Sequence, residues 1–368
     1  MYDAASRSLV GQPLVFSERA TALAVGQVEG RTIIVSGYNN GAIRIWDPPT
    51  GPPLGESVTG HSAPVTSVAA GGARERAVVV TGSLDSTVRV WNANTGDPIG
   101  HSLTGHGGAV RCVAVGQANG RTIIVSGSDD KTVQVWEAAT GISASNQLSG
   151  HTGAVCAVAV GQMDGRAIIV SGSADRTVRI WEADTGDPIG VPLTGHGDTV
   201  RSVAVGQANG QTIIVSGSAD KTVRVWDPHT GKRVCPPLSD HSNGVDSVAI
   251  GQIAEQGIIV SVSRETIWVW QAPFDRKHIP STVTYRGSSI AAFSLGDVDT
   301  AQEIFAALAS AYSFSIWRDG HDPIFGPDWT LPYRIDAICH LPTPGWAVAF
   351  GNEIAVFRPN IHPEEARD

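Results

Sequence analysis

The chain has 368 residues, among them 42 glycines and 21 prolines, and a formal net charge of −9 at pH 7. Because phosphate binding needs Lys and Arg concentrated on one face, the acidic balance and the scattered basic residues argue against nucleic acid as a partner. The sequence has no run of about 18 apolar residues and no amino-terminal signal segment, so we expect a cytoplasmic protein that does not span a membrane.

A tryptophan recurs every 44 to 47 residues, at the end of a short apolar segment. These residues are Trp46, Trp91, Trp136, Trp181, Trp226, Trp270 and Trp317. Such a period is typical of propeller blades and of helical solenoid repeats. Strands are favoured here, because residues 212–215 form a continuous β-branched run and residues 222–226 alternate with period two. Gly and Asp between the two runs supply a tight turn.

Eight segments have the pattern of the innermost strand of a blade. They lie around Ala22, Val65, Val110, Val155, Val200, Val245, Ile290 and Ile335. The sequence therefore predicts an all-β protein, a closed β-propeller of eight four-stranded antiparallel blades; the alternative is a seven-bladed ring with an appendage after about residue 320. We expect a single domain over residues 1–368, with regular blades over about residues 20–270 and degenerate blades over about 271–368.

The first residues of the chain can supply the outer strand that the last blade lacks. Residues 2–14 align without gaps on residues 181–193, which lead into an outer strand. We therefore expect residues 9–16 to pair with the strand that ends at Phe357 and to close the ring. Closure would remove exposed sheet edges, which are prone to aggregation.

Each regular unit also carries a histidine about 30 residues before its tryptophan. Glycine precedes the histidine at His61, His106, His151 and His196, and aspartate precedes it at His241. A Ser or Thr then opens a turn, and in the first four of these units an Asp follows four residues later. This combination resembles the WD-repeat family, strongly over about residues 20–270, and the Gly-Gln-x-Asn-Gly-Arg segment resembles bacterial members of it.

The resemblance implies that His, Ser or Thr, Asp and Trp of one blade form a buried hydrogen-bonded chain. Such partners are needed, because an unpaired buried polar group costs about 1–3 kcal/mol. The implied chains are His61, Thr81, Asp85 and Trp91; His106, Ser126, Asp130 and Trp136; His151, Ser171, Asp175 and Trp181; and His196, Ser216, Asp220 and Trp226.

These recurring residues do not predict a catalytic or metal site. Ser, His and Asp occur in the same arrangement in every regular unit, which is typical of a structural role rather than of one hydrolase triad. Successive histidines lie about 45 residues apart without a second ligand at short spacing, so no metal is expected. The four cysteines show no Cys-x-x-Cys spacing, and Cys112 and Cys156, at neighbouring positions of the repeat's first strand, are interpreted as small core or channel-side residues rather than a disulfide framework. No cofactor is predicted.

Two sets of residues are candidates for partner binding. The resemblance places one set at the mouth of a central channel, where one repeat position and the residue before the turn Asp both vary. These residues are Thr66, Arg111, Cys156, Arg201 and Asp246, together with Leu84 and Asp129. The other candidate is Trp268, which stands where other units carry Arg or Gln; it either forms an unusual contact surface or packs against the neighbouring blade.

The expected function is a non-catalytic, monomeric scaffold that docks a protein or peptide at the channel mouth. The alternative is an enzyme or small-molecule-binding propeller that uses a pocket at the mouth or in the irregular last blades. Asp336 and His340, four residues apart on the predicted eighth inner strand, are the candidates for such a pocket together with Tyr333. Glycan binding remains a third possibility, because exposed aromatic rings can stack on sugars.

Overall fold

A computed structural model describes the chain over much of its length. The described residues are 2–3, 8–9, 14–15, 20–28, 31–46, 58–72, 77–143, 147–253, 256–263, 267–271, 274, 292–296, 305–309, 314–318, 335–340, 346–350 and 353–358. All regular structure within these ranges is β, in agreement with the predicted fold class. Across the same ranges, no helix is long and apolar enough to cross a membrane.

The strands follow one another as short antiparallel meanders, which we number as sheets in chain order. Three two-residue strands come first, and the meanders of sheets 1 to 4 follow them. The strands are β1 (Tyr2–Asp3), β2 (Ser8–Leu9) and β3 (Leu14–Val15); β4 (Ala20–Val28), β5 (Arg31–Tyr38), β6 (Ala42–Trp46) and β7 (Val58–Thr59) in sheet 1; β8 (Val65–Gly71), β9 (Val78–Ser83) and β10 (Val88–Asn92) in sheet 2; β11 (Val110–Ala118), β12 (Arg121–Ser128) and β13 (Val133–Glu137) in sheet 3; and β14 (Val155–Met163), β15 (Arg166–Ser173) and β16 (Val178–Glu182) in sheet 4.

The second half of the chain repeats the pattern in sheets 5 to 8. The strands are β17 (Val200–Ala208), β18 (Gln211–Ser218) and β19 (Val223–Trp226) in sheet 5; β20 (Val245–Ile253), β21 (Gln256–Ser263) and β22 (Ile267–Gln271) in sheet 6; β23 (Ala292–Gly296), β24 (Phe305–Ala309) and β25 (Phe314–Arg318) in sheet 7; and β26 (Ile335–His340), β27 (Trp346–Phe350) and β28 (Glu353–Arg358) in sheet 8. Ile290, around which an inner strand was expected, lies outside the described residues.

The predicted fourth strand is wrong for sheets 2 to 5, which have three strands each, and the outer segments of sheets 6 and 7 lie outside the described residues. In sheet 2 the outer segment pairs with β10 at two isolated points, Pro98 with Trp91 and Leu103 with Val88. Pro98 cannot donate a backbone hydrogen bond, and Gly100 takes a left-handed conformation with φ of 69°. The same two bridges recur in sheets 3 to 5, including sheets with Ser143 or Arg233 in place of Pro98, so the outer segment pairs at two isolated points in each of these sheets.

The amino-terminal strands pair with the last strand, but not as one continuous strand over residues 9–16. Leu14–Val15 runs antiparallel to β28 and pairs with Ile354 and Glu353. Phe357 pairs instead with Tyr2, in a parallel arrangement. Sheet 8 therefore contains residues from both ends of the chain.

The core lies between consecutive sheets, because each middle strand is buried over most of its length. Val78–Ser83, for example, is buried at every residue. The repeated tryptophan packs against the sheet before its own: Trp136 contacts the cluster of Val80 and Val90, and Trp226 contacts that of Val170 and Ile180. Burial on both faces explains why these strands read as continuous β-branched runs.

Consecutive sheets approach closely at a glycine in the middle strand of each of sheets 1 to 5. A Cβ added to Gly82 would lie 2.6 Å from Cγ1 of Val110, and one added to Gly172 would lie 2.6 Å from Cγ1 of Val200. Each of these valines belongs to the inner strand of the following sheet. Because glycine has no side chain, the valine of the following sheet can fill the space beside its Cα. We call this contact the Gly–Val seat.

Candidate functional site

The structure brings together the four residue types of each repeated chain. In sheet 2, the Nδ1 atom of His61 lies 2.9 Å from Oδ2 of Asp85, and its Nε2 atom lies 2.7 Å from Oγ1 of Thr81. The indole N–H of Trp91 donates to the same Thr81 oxygen at 3.0 Å. The corresponding His–Asp and His–Ser distances in sheets 3 to 5 are 2.7–2.9 Å.

These partners determine the imidazole tautomer. The carboxylate can only accept, so Nδ1 of each histidine donates to Asp, and Nε2 accepts from the Ser or Thr hydroxyl. Burial lowers the pKa of His151, against the opposing effect of Asp175, and the histidine stays neutral. Burial alone would raise the pKa of Asp175, but hydrogen bonds from Thr177, from the backbone of Thr152 and from His151 outweigh it and bring the pKa to about 2.

The hydroxyl of each chain is inaccessible to a substrate. Thr81, Ser126, Ser171 and Ser216 are 0% exposed. In sheet 4, Oγ of Ser171 lies between Nε2 of His151 at 2.8 Å and the indole N–H of Trp181 at 2.9 Å. The chains therefore link the turn Asp, the loop histidine and the sheet core, and they act as structural ties.

Trp268 is part of the core, which corrects its assignment as a contact surface. Its side chain is 8% exposed and stacks on Trp270 with ring centroids 5.5 Å apart. The ring of His241 meets Trp268 edge-on at 6.5 Å. In sheet 6 a second indole thus stands at the position that Arg or Gln takes in sheets 2 to 5, and the packing interpretation holds.

The variable positions of the predicted mouth share a backbone feature. The inner-strand register shifts at each of them, so that the residue is an unpaired extra residue, a β-bulge, facing the middle strand. The residues at these bulges are Thr21, Thr66, Arg111, Cys156, Arg201, Asp246 and Asp336. We call Thr66, Arg111, Cys156, Arg201 and Asp246 the bulge row.

The bulges lie beside the turns between the middle and third strands. The backbone N–H of Leu84 donates to Pro64, and that of Asp129 donates to Ala109, just before the respective inner strands. The two kinds of turn predicted to form the mouth therefore meet at one end of the strands. Leu84 is 41% exposed there, so its side chain is available for contact.

The hydroxyl of Thr66 makes contacts within the scaffold, and the assignment of this residue to partner binding stays a prediction. Its Oγ1 lies within hydrogen-bond distance of two carbonyl oxygens. That of Gly82 is 3.0 Å away, and that of Val110 in the next sheet is 2.6 Å away. Thr21 makes the same two contacts one sheet earlier. The hydroxyl is thus directed between sheets 2 and 3.

Three members of the bulge row are charged: Arg111, Arg201 and Asp246. Arg111 forms a bidentate ion pair with Asp129 of its own sheet, at 2.8 and 2.6 Å. Arg201 reaches instead to Asp246 of the next sheet at 2.6 Å, because Ala219 stands where Asp129 would be. These side chains are 34–47% exposed, so both ion pairs face solvent.

Cys156 lies between the two arginines in the bulge row. Burial raises the pKa of its thiol, while the charges of Arg111 and Arg201 lower it and do not reverse the shift. The thiol therefore stays protonated at neutral pH and is a poor nucleophile. Cys112, Cys156 and Cys235 are free thiols.

The remaining candidates lie on β26, whose backbone alone is described. Asp336 is the bulge residue of that strand, and His340 pairs with Trp346. The side chains of Asp336 and His340 lie outside the described part of the chain, as does Tyr333. Among the residues with described side chains, no group of three His, Cys, Asp or Glu residues is placed to hold a metal ion.

Sequence reasoning identified the variable positions but missed the bulges that explain them. A signal was present: Val110 and Val113 are both buried although they lie three residues apart, whereas buried residues of a regular strand lie an even number apart. One extra residue between them restores the alternation, and Arg111 is that extra residue.

Comparisons with known proteins identify the type of repeat in the central sheets. The model of the WD domain, G-beta repeat, matches residues 53–92, 98–137, 143–182 and 186–227. The fold is similar to the crystal structure of the computationally designed Ika8 protein, with a TM-score of 0.73, 27% identity, and coverage of 95% of this chain and 100% of that chain. No curated protein matches the chain. Residues 53–227 therefore contain four WD repeats within an all-β fold of repeated antiparallel sheets, which supports the WD-repeat family.

Proposed function

We propose that this protein is a non-catalytic interaction scaffold and that the bulge row from Arg111 to Asp246 docks a protein or peptide partner. In this proposal the sheets are the eight blades of a closed ring, and sheet 8, built from both ends of the chain, closes it. WD-repeat propellers are commonly protein-interaction scaffolds, but a fold alone does not determine a function. The support must therefore come from particular residues.

The observation that carries the proposal is the contrast between fixed ties and variable bulges. Neighbouring sheets repeat the buried His–Asp and His–Ser contacts to within about 0.1 Å. One bulge residue per sheet nevertheless changes from Thr to Arg, Cys, Arg and Asp. A bulge residue is released from the strand ladder, so its side chain can vary without disturbing the sheet. Such positions suit recognition better than scaffolding.

The charges of the row indicate the chemistry of the partner. Each arginine already has a carboxylate partner, but exposed ion pairs contribute about 0–1 kcal/mol and can be exchanged. A carboxylate of the partner can therefore replace Asp129 or Asp246, and a basic side chain can bind the carboxylate that is released. Such exchange favours a peptide or protein surface with both signs of charge, and its specificity comes from electrostatic complementarity.

The experiment that tests the proposal is affinity capture from the native cell lysate. The variant is Arg111→Glu with Arg201→Glu, and the matched control is Arg121→Glu with Arg166→Glu. Arg121 and Arg166 are exposed first residues of β12 and β15, at the opposite end of the strands. All three proteins must first show equal melting temperatures. Cross-linking then locates the captured partner on the surface.

A partner that is retained by wild type and control, lost by the variant and cross-linked beside Leu84 or Asp129 would support docking at the bulge row. Retention by the Arg111→Glu and Arg201→Glu variant would show that docking occurs elsewhere. Failure of the wild type to capture any specific partner would count against the scaffold function.

A further inference from the structure

The loop after Trp226 departs in charge from its counterparts. It contains His229, Lys232 and Arg233. One repeat earlier, the same positions are Asp184, Asp187 and Pro188, while the residue after the tryptophan is acidic in both loops, as Glu182 and Asp227. A basic loop in a protein with a net charge of −9 is a local reversal of the general pattern.

This loop borders a groove of about 610 Å³ at the end of the strands opposite the bulge row. The β14–β15 turn at Asp164 and Gly165 forms one wall, and Gln207, Gln211 and the basic loop form the others. The volume falls within the range of about 300–1,000 Å³ that is typical of small-molecule sites. Its lining is mostly polar, so a hydrophilic ligand fits it better than an apolar one.

The two acidic residues of the groove are already engaged within the protein. Oδ1 of Asp227 accepts the backbone N–H of His229 at 2.9 Å, and its Oδ2 accepts the hydroxyl of Thr230 at 2.7 Å. Oδ2 of Asp164 lies 3.4 Å from Nδ1 of His229. Across the described residues, no carboxylate lies within ion-pair distance of Lys232 or Arg233.

The side-chain contact between sheets 4 and 5 also differs from the corresponding contact between sheets 3 and 4. At the preceding junction, Nδ2 of Asn119 donates to Oδ2 of Asp184 at 2.6 Å. At this junction, Asp164 and His229 occupy the same two positions with the carboxylate on the opposite partner. The acidic group has thus moved from the loop to the turn, and the loop is left with unpaired positive charge.

We propose that this groove, lined by Lys232 and Arg233, binds a small ligand that carries an oxyanion group, either a phosphate or a carboxylate. Arg and Lys form strong charge-assisted hydrogen bonds with such groups. Gln211, exposed at the rim, supplies an amide for the polar remainder of the ligand. The site is independent of the bulge row, because the two lie at opposite ends of the strands.

Calorimetric titration with inorganic phosphate and, separately, with citrate tests the site at constant ionic strength. The variant Lys232→Ile with Arg233→Ser carries the residues of Ile142 and Ser143, which occupy these positions in sheet 3. The control, Arg121→Gln with Lys131→Ser, removes two positive charges and carries the residues of Gln211 and Ser86. Since both variants use residues that the repeat already accommodates, we expect both to fold.

We expect the wild type to bind one of the two probes, the loop variant to bind it about tenfold more weakly or not at all, and the control to stay within about twofold. Preference for phosphate or for citrate identifies the oxyanion. Amide resonances of Gln211 and Lys232 should shift on binding. Absence of binding by the wild type, or equal weakening in the control, would overturn the proposal.

Discussion

Replacement of Ser171 by alanine tests whether the buried hydrogen-bonded chain holds the fold together. The Ser171 hydroxyl donates to Nε2 of His151 at 2.8 Å and accepts from the indole N–H of Trp181 at 2.9 Å. The side chain of His151 is 1% exposed, and Trp181 is also 1% exposed. Water therefore cannot replace the lost oxygen for either group.

The structure sets the expected magnitude. Alanine leaves two buried polar groups unsatisfied, and each costs about 1–3 kcal/mol. After partial relaxation of the imidazole, we expect Ser171→Ala to lower the free energy of unfolding by about 3 kcal/mol. Ser171→Thr is the matched control, because Thr81 makes the same two contacts at 2.7 and 3.0 Å in sheet 2. The threonine variant should stay within about 1 kcal/mol of the wild type.

Equilibrium unfolding in urea, followed by tryptophan fluorescence and by circular dichroism, measures both variants. Coincidence of the two probes is needed before a single free energy is assigned. A loss below about 1 kcal/mol for Ser171→Ala, or equal losses for alanine and threonine, would refute the role of the hydroxyl as a tie between histidine and tryptophan.

Three further predictions concern acid, packing and the surface. Burial lowers the folded-state pKa of four histidines, so the folded state binds fewer protons and the free energy of unfolding should fall as pH drops through about 6.5. These histidines are His61, His106, His151 and His196. Asp175 and Asp220, with pKa values of about 2, should lower the free energy of unfolding further as pH falls below their unfolded-state pKa values. A urea midpoint that is constant from about pH 7 to 5 would contradict this linkage. Gly172→Ala should cost about 2–3 kcal/mol, because the new Cβ would lie 2.6 Å from Cγ1 of Val200, and its combination with Val200→Ala should cost less than the sum of the two changes; additive losses would argue against the contact. Asp129→Ala should change the free energy of unfolding by less than about 1 kcal/mol, since both members of its ion pair are exposed; a loss of several kcal/mol on urea denaturation would show that the pair is structural.

The repeated interior was predictable because each element appears several times in the sequence. Val-rich runs, the spacing of His to Trp and the turn Asp recur in near-identical copies, so their structural role follows from recurrence. The outer strand was not predictable in the same way. In sheets 2 to 5 the outer segment keeps two pairing points instead of a ladder, whether Pro98, Ser143 or Arg233 stands at the first of them.

The positions of the candidate site were predictable from the sequence, but the ion-pair partners of its charged side chains were not. Variation between repeats identifies Arg111 and Arg201, but their carboxylate partners depend on which turn residue lies within reach. Arg111 uses Asp129 of its own sheet, whereas Arg201 crosses to Asp246 because Ala219 offers no carboxylate. Trp268 was ambiguous for a related reason: burial depends on the neighbouring sheet, which the local sequence does not show.

The Gly–Val seat recurs with nearly the same geometry between consecutive regular sheets. A Cβ added to Gly82, Gly172 or Gly217 would lie 2.6 Å from Cγ1 of the valine in the following inner strand. In sheet 6, Val262 stands at the position of this glycine. The contact between sheet 6 and the sheet that follows it must therefore differ from the Gly–Val seat.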